Sequence, residues 1–203
     1  MNALRTLTEA QFNEQLRPKL AGIYARYKDV TGAGIDVGVP IRMEYLNMIY
    51  SEYHQMLHSI NKVSYTADEV DCEQMKQAMD TDGTMLVSVL YNHPHPLLYG
   101  FDTEMAEQYN LIARAVHDWV HYVNDYLPCT AYQEYLCWLK QSKGRSKEIQ
   151  QILFSEIVLQ ASYCEQFGHF APNMNTYFKQ SRRMIKHQKL VLVDYEALIN
   201  SVQ

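Results

Sequence analysis

Apolar positions along this chain recur mostly at helical spacing. Between Thr8 and Val30 they fall at Phe12, Leu16, Leu20, Ile23, Tyr24 and Tyr27, which predicts a helix capped by Thr8 and kinked or divided at Pro18. Three glycines and a proline in TGAGIDVGVP predict an irregular connection, and a helix follows from about Arg42 to Asn61. Thr66 to Met79 reads as a shorter helix with Thr66 and Glu69 as its capping box. After the turn DTDG, the run TMLVSVLY is apolar and partly β-branched, which makes it the strand candidate. NHPHPLLYGF is loop, because two prolines in four residues exclude a regular helix. From Asp102 the pattern is helical almost to the end. Asp102 or Thr103 caps a helix to about Tyr126, closed by Pro128, and Thr130 to Gln141 gives a second. Ser146 to Phe167 gives a third, ended by Gly168 with Pro172. Asn173 to about Lys186 and Asp194 to Val202 read as further helices around the short apolar run LVLV. The fold class expected is mainly α: a single-domain helical bundle over 1–203 with a small β element around Met85 to Tyr91, and a second candidate at Leu190 to Val193. Residues 1–40 form the N-terminal helix and connection, and residues 41–203 the helical core.

Composition changes this picture little. At 203 residues and 47% hydrophobic, the chain can bury one continuous core. A formal charge of -5 disfavours nucleic acid as a partner, since that affinity comes largely from Lys and Arg displacing counterions. The exception is Lys179 to Lys189, where six of eleven residues are basic if His187 is counted; it reads first as a solvated helix face, with DNA contact through Arg182 and Arg183 as the competing reading. The N-terminus lacks the basic-then-apolar layout of a signal peptide, and no apolar run approaches the roughly 20 residues that span a bilayer. A soluble intracellular protein with no membrane partner is expected. Cys72, Cys129, Cys137 and Cys164 are widely spaced without a C-x-x-C pair, and reduced, mostly buried thiols are expected.

The candidate chemistry centres on VHDWVHY. His117 and His121 sit at i and i+4, which on a helix turns both imidazoles to one side within reach of a single ion. Asp118 lies about 100° around the helix, suited to orienting a neighbour, and Asp125 extends the His117 stripe. The plainer reading is a helix whose histidines are hydrogen-bonded or exposed, and His54 and His58 show that the spacing recurs. Glu156 and Gln160 form another co-facial pair, among Phe154, Ile157 and Val158. A carboxylate there suits metal ligation or general-base work, and a surface helix would look the same. Glu165 and His169 repeat the spacing. His93 and His95 in the proline-stiffened NHPHPLL either line a pocket or mark the end of the strand, while Asp80 and Asp82 suit turn chemistry. No E-x-x-H occurs, the nearest form being Asp118 to His121, which leaves the diiron bundle a minor alternative, and the lack of a Walker loop, dinucleotide turn, G-x-S-x-G or H-E-x-x-H removes the commonest enzyme classes. Cys164 is conceivable as a nucleophile, although a free thiol is usually a small core residue.

The order HPLL (from His95), NLIARAVHDWVH, YQEYLCW, FSEIVLQASY, FGHFAP and HQKLVL resembles an uncharacterised family of tailed-phage proteins, also found as a domain in larger phage and mobile-element polypeptides. Its members share H-P-L-L, R-A-V-H-D-x-x-x-H, a Glu shortly before Trp, S/T-E-x-x-x-Q and a late Q-K. The resemblance covers His95 to Leu192 and extends more weakly to Tyr50. It places the family's polar positions on Arg114, His117, Asp118, His121, Glu134, Glu156 and Gln160. The chain departs at Val120, where members have Gly, and at Gln141, where they have a His, which removes one candidate ligand. What the resemblance implies is a phage origin and a polar centre built from three helices. VHDWVHY is also similar to the His-Asp doublet of HD-type metal phosphohydrolases, whose additional His and Asp find only His54 or His58 and Asp125 as counterparts.

The resulting expectation is a phage-encoded metal-dependent hydrolase acting on a phosphorylated or nucleotide-like small molecule. His117, His121 and Glu134 hold a divalent metal (zinc, manganese or iron), with Glu156 as an alternative ligand. Asp118, Glu156 and Arg114 are the catalytic candidates, Arg114 for an anionic group, and Gln160, His95 and Tyr163 face the substrate. The alternative is a non-catalytic phage protein that binds a host or virion partner, since Tyr (16) and Met (10) are abundant and serve interfaces as well as cores. The expected location is the host cytoplasm, with virion association and a homo-oligomer left open.

Overall fold

The computed structural model describes residues 5–26, 38–90, 92–98, 102–170, 174–178, 183–187 and 190–203. In chain order the elements are α1 (Glu9–Gln11), a π-helical stretch (Phe12–Leu16), α2 (Arg17–Arg26), α3 (Gly38–Leu57), β1 (Lys62–Thr66), α4 (Cys72–Asp82), β2 (Thr84–Ser88), a 3-10 turn (Pro96–Leu98), α5 (Thr103–Val123), α6 (Ala131–Gln141), α7 (Lys147–Leu153), a second π stretch (Phe154–Leu159), α8 (Gln160–Phe167), β3 (Met174–Phe178), β4 (Arg183–His187) and α9 (Tyr195–Asn200). The protein is mainly α with a small β element. The expected connection at 31–37, Tyr91 and the side chains of the basic run at 179–189 lie outside the described residues. Among the described residues no helix is long and apolar enough to cross a membrane. The chain forms two compact units: Met1–Val30 with Thr130–Pro172 and Lys189–Gln203, and Thr31–Cys129 with Asn173–Gln188.

In the first unit the opening helix starts as its sequence predicts. The Thr8 side chain accepts from the Gln11 N–H and the Gln11 side chain returns to the Thr8 backbone, satisfying two orphan donors reciprocally. Instead of a break at Pro18, the helix takes π register over Phe12–Leu16, with the Arg17 N–H bonded to the Phe12 carbonyl. The slip just before the proline accommodates its missing N–H. Phe12, Leu16, Leu20 and Tyr24 are buried. An aromatic chain then runs from Phe12 to Tyr135 (5.3 Å), Trp138 (5.9 Å) and Tyr195 (5.1 Å), with Phe154 4.8 Å from Trp138. The polar tips are satisfied: Trp138 Nε1 donates to the Gln150 carbonyl at 3.0 Å, and the Tyr135 hydroxyl to that of Arg5 at 2.8 Å. Burial pushes Tyr135 and Tyr195 up to about 12. The expected strand at Leu190 to Val193 does not form. Leu190 and Val191 are buried, and the Val191 N–H is satisfied by the Ser155 hydroxyl at 2.6 Å rather than by a ladder.

In the second unit β1 and β2 pair in parallel, Lys62 opposite Thr84 through Thr66 opposite Ser88, with α4 as the crossover. This corrects the expected Thr66 to Met79 helix. Thr66 ends a strand whose sequence, KVSYT, favours pleated structure, and its hydroxyl accepts from the Asp68 N–H. The true cap is Asp71, boxed with Gln74. Gly83 closes α4 at φ 68, a left-handed conformation that glycine adopts without steric cost. Met56, Met75, Met79, Met85, Val87 and Ala115 form the main core cluster; Leu46, Leu98 and Ala106 form a second. The expected helix over Asn173 to Lys186 is instead an antiparallel hairpin, Met174 opposite His187, in keeping with the β-branched and aromatic residues of MNTYF. The expected reduced thiols are also corrected. Cys72, at the start of α4, and Cys129, beyond α5, form a disulfide with Cα atoms 6.4 Å apart. Cys137 and Cys164 are not disulfide-bonded.

Candidate metal centre

Helix α5 carries the candidate centre of the second unit. The Asp102 carboxylate caps it, accepting from the N–H groups of Glu104 and Met105. Ala115, with Leu111, Trp119 and Tyr122, packs into the methionine core. That packing fixes the rotation of the helix and thereby the direction of the neighbouring stripe holding Arg114, His117, Asp118 and His121.

The His117 and His121 rings meet edge to face, centroids 4.7 Å apart at 79°, as i, i+4 spacing requires. Their candidate ligand atoms lie within 4.8 Å of each other. Tetrahedral zinc with Zn–N bonds of about 2.1 Å separates two ligand nitrogens by about 3.4 Å, so small ring rotations close the pair on one ion. His121 is fully buried, and its Nδ1 stands 2.8 Å from the Tyr126 carbonyl. A carbonyl oxygen only accepts, so Nδ1 carries the hydrogen and the ring lone pair sits on Nε2. Metal-binding histidines are held in this way, one nitrogen anchored to a carbonyl and the other turned to the ion.

The anchor is built by the end of α5. Asp125 takes φ 55, a left-handed conformation that aspartate tolerates better than most residues. The chain therefore folds back, the Tyr126 N–H reaching the His121 carbonyl at 3.0 Å while the Tyr126 carbonyl meets the His121 ring. Asp125 is thus an exposed turn residue and does not extend the histidine stripe. Three contributors escaped the sequence reading: the Tyr126 carbonyl, Cys129, and Cys72 through its bond to Cys129. A candidate ligand atom of His121 lies within 4.8 Å of the Cys129 sulfur. The His117/His121 pair belongs to a group that could hold a metal ion, while the Cys129 sulfur is engaged in the disulfide.

The other candidates of this unit are placed less favourably. Arg114 Nη1 donates to the Leu90 carbonyl at 3.0 Å, buttressing the loop whose Asn92 bonds Asn110 and the Glu107 carbonyl. Asp118 is half-buried. His95 is 2% exposed and stacks on Tyr45 with centroids 4.9 Å apart. Its Nδ1 accepts from the Leu97 N–H at 3.2 Å, an arrangement that pins the HPLL turn. His54 and His58 are exposed at the end of α3. An open groove of about 490 Å³ runs along β1 and α4 past Thr66, Asp68, Gln74 and Thr84, and none of the expected site residues lines it.

Glu134, Glu156, Gln160 and Tyr163 belong to the first unit. Glu156 sits in the π stretch, a register that widens the helix and recurs at functional sites. The buried Tyr24 hydroxyl is pushed well above its ordinary range, first by desolvation, then by the Glu156 charge and Tyr163. These three therefore form one polar group, with the Tyr24 and Tyr163 rings edge-on at 5.7 Å. Gln160 opens α8 and Glu134 lies in the first turn of α6, both half-buried. Glu165 binds Arg17 and also accepts from the Ala131 N–H at 2.7 Å, which caps α6. Burial, then the Glu165 charge, raises the Cys164 thiol, which keeps it protonated and disfavours a nucleophilic role. No family model, curated protein or solved structure matches the chain, so the function is argued from these residues themselves.

Proposed function

We propose that the chain binds a divalent transition metal, zinc foremost, through His117 and His121, and hydrolyses a phosphorylated or nucleotide-like small molecule in a phage setting. One observation carries the metal reading: the buried His121 ring is fixed in the Nδ1–H tautomer by the Tyr126 carbonyl, beside a second imidazole at 4.7 Å. Imidazole donors suit zinc better than magnesium or calcium. A metal there would supply Lewis-acid polarisation of a phosphoryl oxygen. Asp118, one position from His117, would take the proton of an attacking water. The phage setting and the hydrolytic chemistry rest on the motif resemblance.

Metal analysis of the purified protein tests the reading. Zinc should be present, or should raise the melting temperature of stripped protein, and His117→Ala or His121→Ala should each abolish the effect. No bound metal and no response to zinc or manganese in the wild type would refute it. Metal-dependent release of phosphate from nucleotides, lost in Asp118→Asn, tests the hydrolase step.

A second reading, a non-catalytic partner-binding protein, is favoured by α3. Val39, Met43, Tyr50 and Leu57 are 71%, 47%, 47% and 40% exposed and recur at helical spacing, more apolar surface than a solvated helix face carries. Metal binding without turnover on any phosphate ester would favour that reading.

A further inference from the structure

We propose that the groove along β1 and α4 is a binding site for a linear aliphatic diamine, held by an ammonium at each end and by its methylene stem between them. The groove is separate from the histidine centre: none of the residues lining it belongs to the metal candidates.

Thr84 shows that the groove is built for a ligand. It opens β2 and lines the groove, only 6% of it is exposed, and among the described residues its Oγ1 has no hydrogen-bond partner. The Thr84 backbone N–H is occupied, donating to the Asp82 carboxylate at 3.1 Å; the hydroxyl is not. A buried hydroxyl left unpaired is a net cost to folding, and its oxygen can accept two hydrogen bonds. A donor lying in the groove beside Asp82 recovers that loss.

Charge says what kind of donor fits. Asp68, Glu69 and Asp82 line the groove against a single cation, Lys62. Lys62 stands 3.8 Å from Asp82 with both side chains more than half exposed, a loose pair that an incoming ammonium displaces at little cost. Asp68 and Glu69 are exposed just beyond β1, and among the described residues neither enters an ion pair. The Asp68 carboxylate accepts from the Thr66 hydroxyl at 3.2 Å and has capacity left for a charged donor. The two acidic ends are well separated: Thr84 pairs with Lys62, and Thr66 lies four residues further along the same strand, about 13 Å at the rise of a β-strand. Midway, Leu86 stands opposite Ser64, and with Val70 and Ala78, also half-buried, it gives the groove an apolar lining. Acidic, apolar, acidic is the complement of ammonium, methylene stem, ammonium. One ammonium donates to Thr84 Oγ1 and Asp82, the other to Asp68 and Glu69. The volume of about 490 Å³ suits a small molecule, and the described lining has no aromatic face on which a ring or sugar would stack.

The probes are two α,ω-diamines of equal charge, with eight and four carbons, and butylamine as the single-ammonium control, each titrated into the full-length protein by calorimetry. The eight-carbon diamine, which reaches both ends of the groove, should bind about tenfold or more tightly than the four-carbon one. Thr84→Val should weaken it about tenfold while leaving the free protein at least as stable, because an unpaired hydroxyl has been removed. Asp68→Asn combined with Glu69→Gln alters only exposed side chains and should bring the eight-carbon diamine down to the affinity of butylamine. Equal affinity for the two diamines, or binding that ignores these substitutions, would overturn the proposal, since diffuse attraction to an acidic surface depends on charge and not on span. No binding of any amine would overturn it as well, and neither result bears on zinc at His117 and His121.

Discussion

Opening the Cys72–Cys129 bond should cost the second unit much of its stability. The bond closes a loop with a sequence separation of 57 residues, and the chain-entropy relation assigns about 4 kcal/mol at 25 °C to a loop of that length. Such a term is a large fraction of the roughly 5–15 kcal/mol that holds an ordinary domain together. Between the two cysteines lie α4, β2 and α5, whose packing supplies Met75, Met79, Met85, Val87 and Ala115 to the core cluster. The constraint therefore acts on the chain that builds the core. The assay is denaturant unfolding of chelator-treated protein, oxidised against reduced, with Cys72→Ser as a control that should track the reduced form. Under oxidising, denaturing conditions two of the four thiols, Cys137 and Cys164, should react with a thiol reagent. All four reacting, or coincident unfolding midpoints, would refute the reasoning.

Three further outcomes follow from local geometry. Gly83→Ala should lower stability by about 1–2 kcal/mol: φ is 68°, and an added Cβ would sit 3.0 Å from the Asn61 side-chain nitrogen and 3.3 Å from its backbone nitrogen, which is held by its bond to the Gly83 carbonyl. Ser155→Ala should cost about 1–3 kcal/mol in the same unfolding assay, because the buried Val191 N–H loses its acceptor. The Asp80 carboxyl, followed by NMR, should titrate below the usual carboxylate range, held down first by Lys76 and then by the Tyr122 hydroxyl. Its folded pKa being depressed, the stabilisation is present above the unfolded value and fades as pH falls through the folded one; in Lys76→Ala the titration should move up.

Where local pattern decides structure, the sequence was readable. The Thr8 capping box, the Asp102 cap and the long α5 all follow from residue types within a turn of one another. Thr66 shows the limit: T-x-x-E satisfies the capping pattern, yet pairing of Lys62–Thr66 with Thr84–Ser88 takes Thr66 into a strand. A parallel partner across a helical crossover leaves no adjacent turn signal, so this strand has no mark of its own. The hairpin at Met174–Phe178 and Arg183–His187 was missed because long polar side chains fit a helical and a strand reading alike.

The candidate centre divides along the same line. Two imidazoles at i and i+4 meet because the helix repeat makes them meet, and that much is arithmetic. What distinguishes a held ligand from a buried histidine is the Nδ1 anchor, and here it too is local: five residues separate His121 from Tyr126, and the left-handed turn at Asp125 is of a kind that Asn-Asp sequences favour. NDY directly after the helix was therefore a readable signal, mistaken for an extension of the stripe because the helix was assumed to run on to Tyr126. The disulfide had no such signature, since Cys72 and Cys129 meet only once α4 and α5 have packed on β2. A centre whose histidines are oriented by their own helix end should keep the imidazole pair in any state that preserves α5. Asp125→Pro tests this dependence. It forbids the positive φ, unfixes the Tyr126 carbonyl and should weaken metal binding.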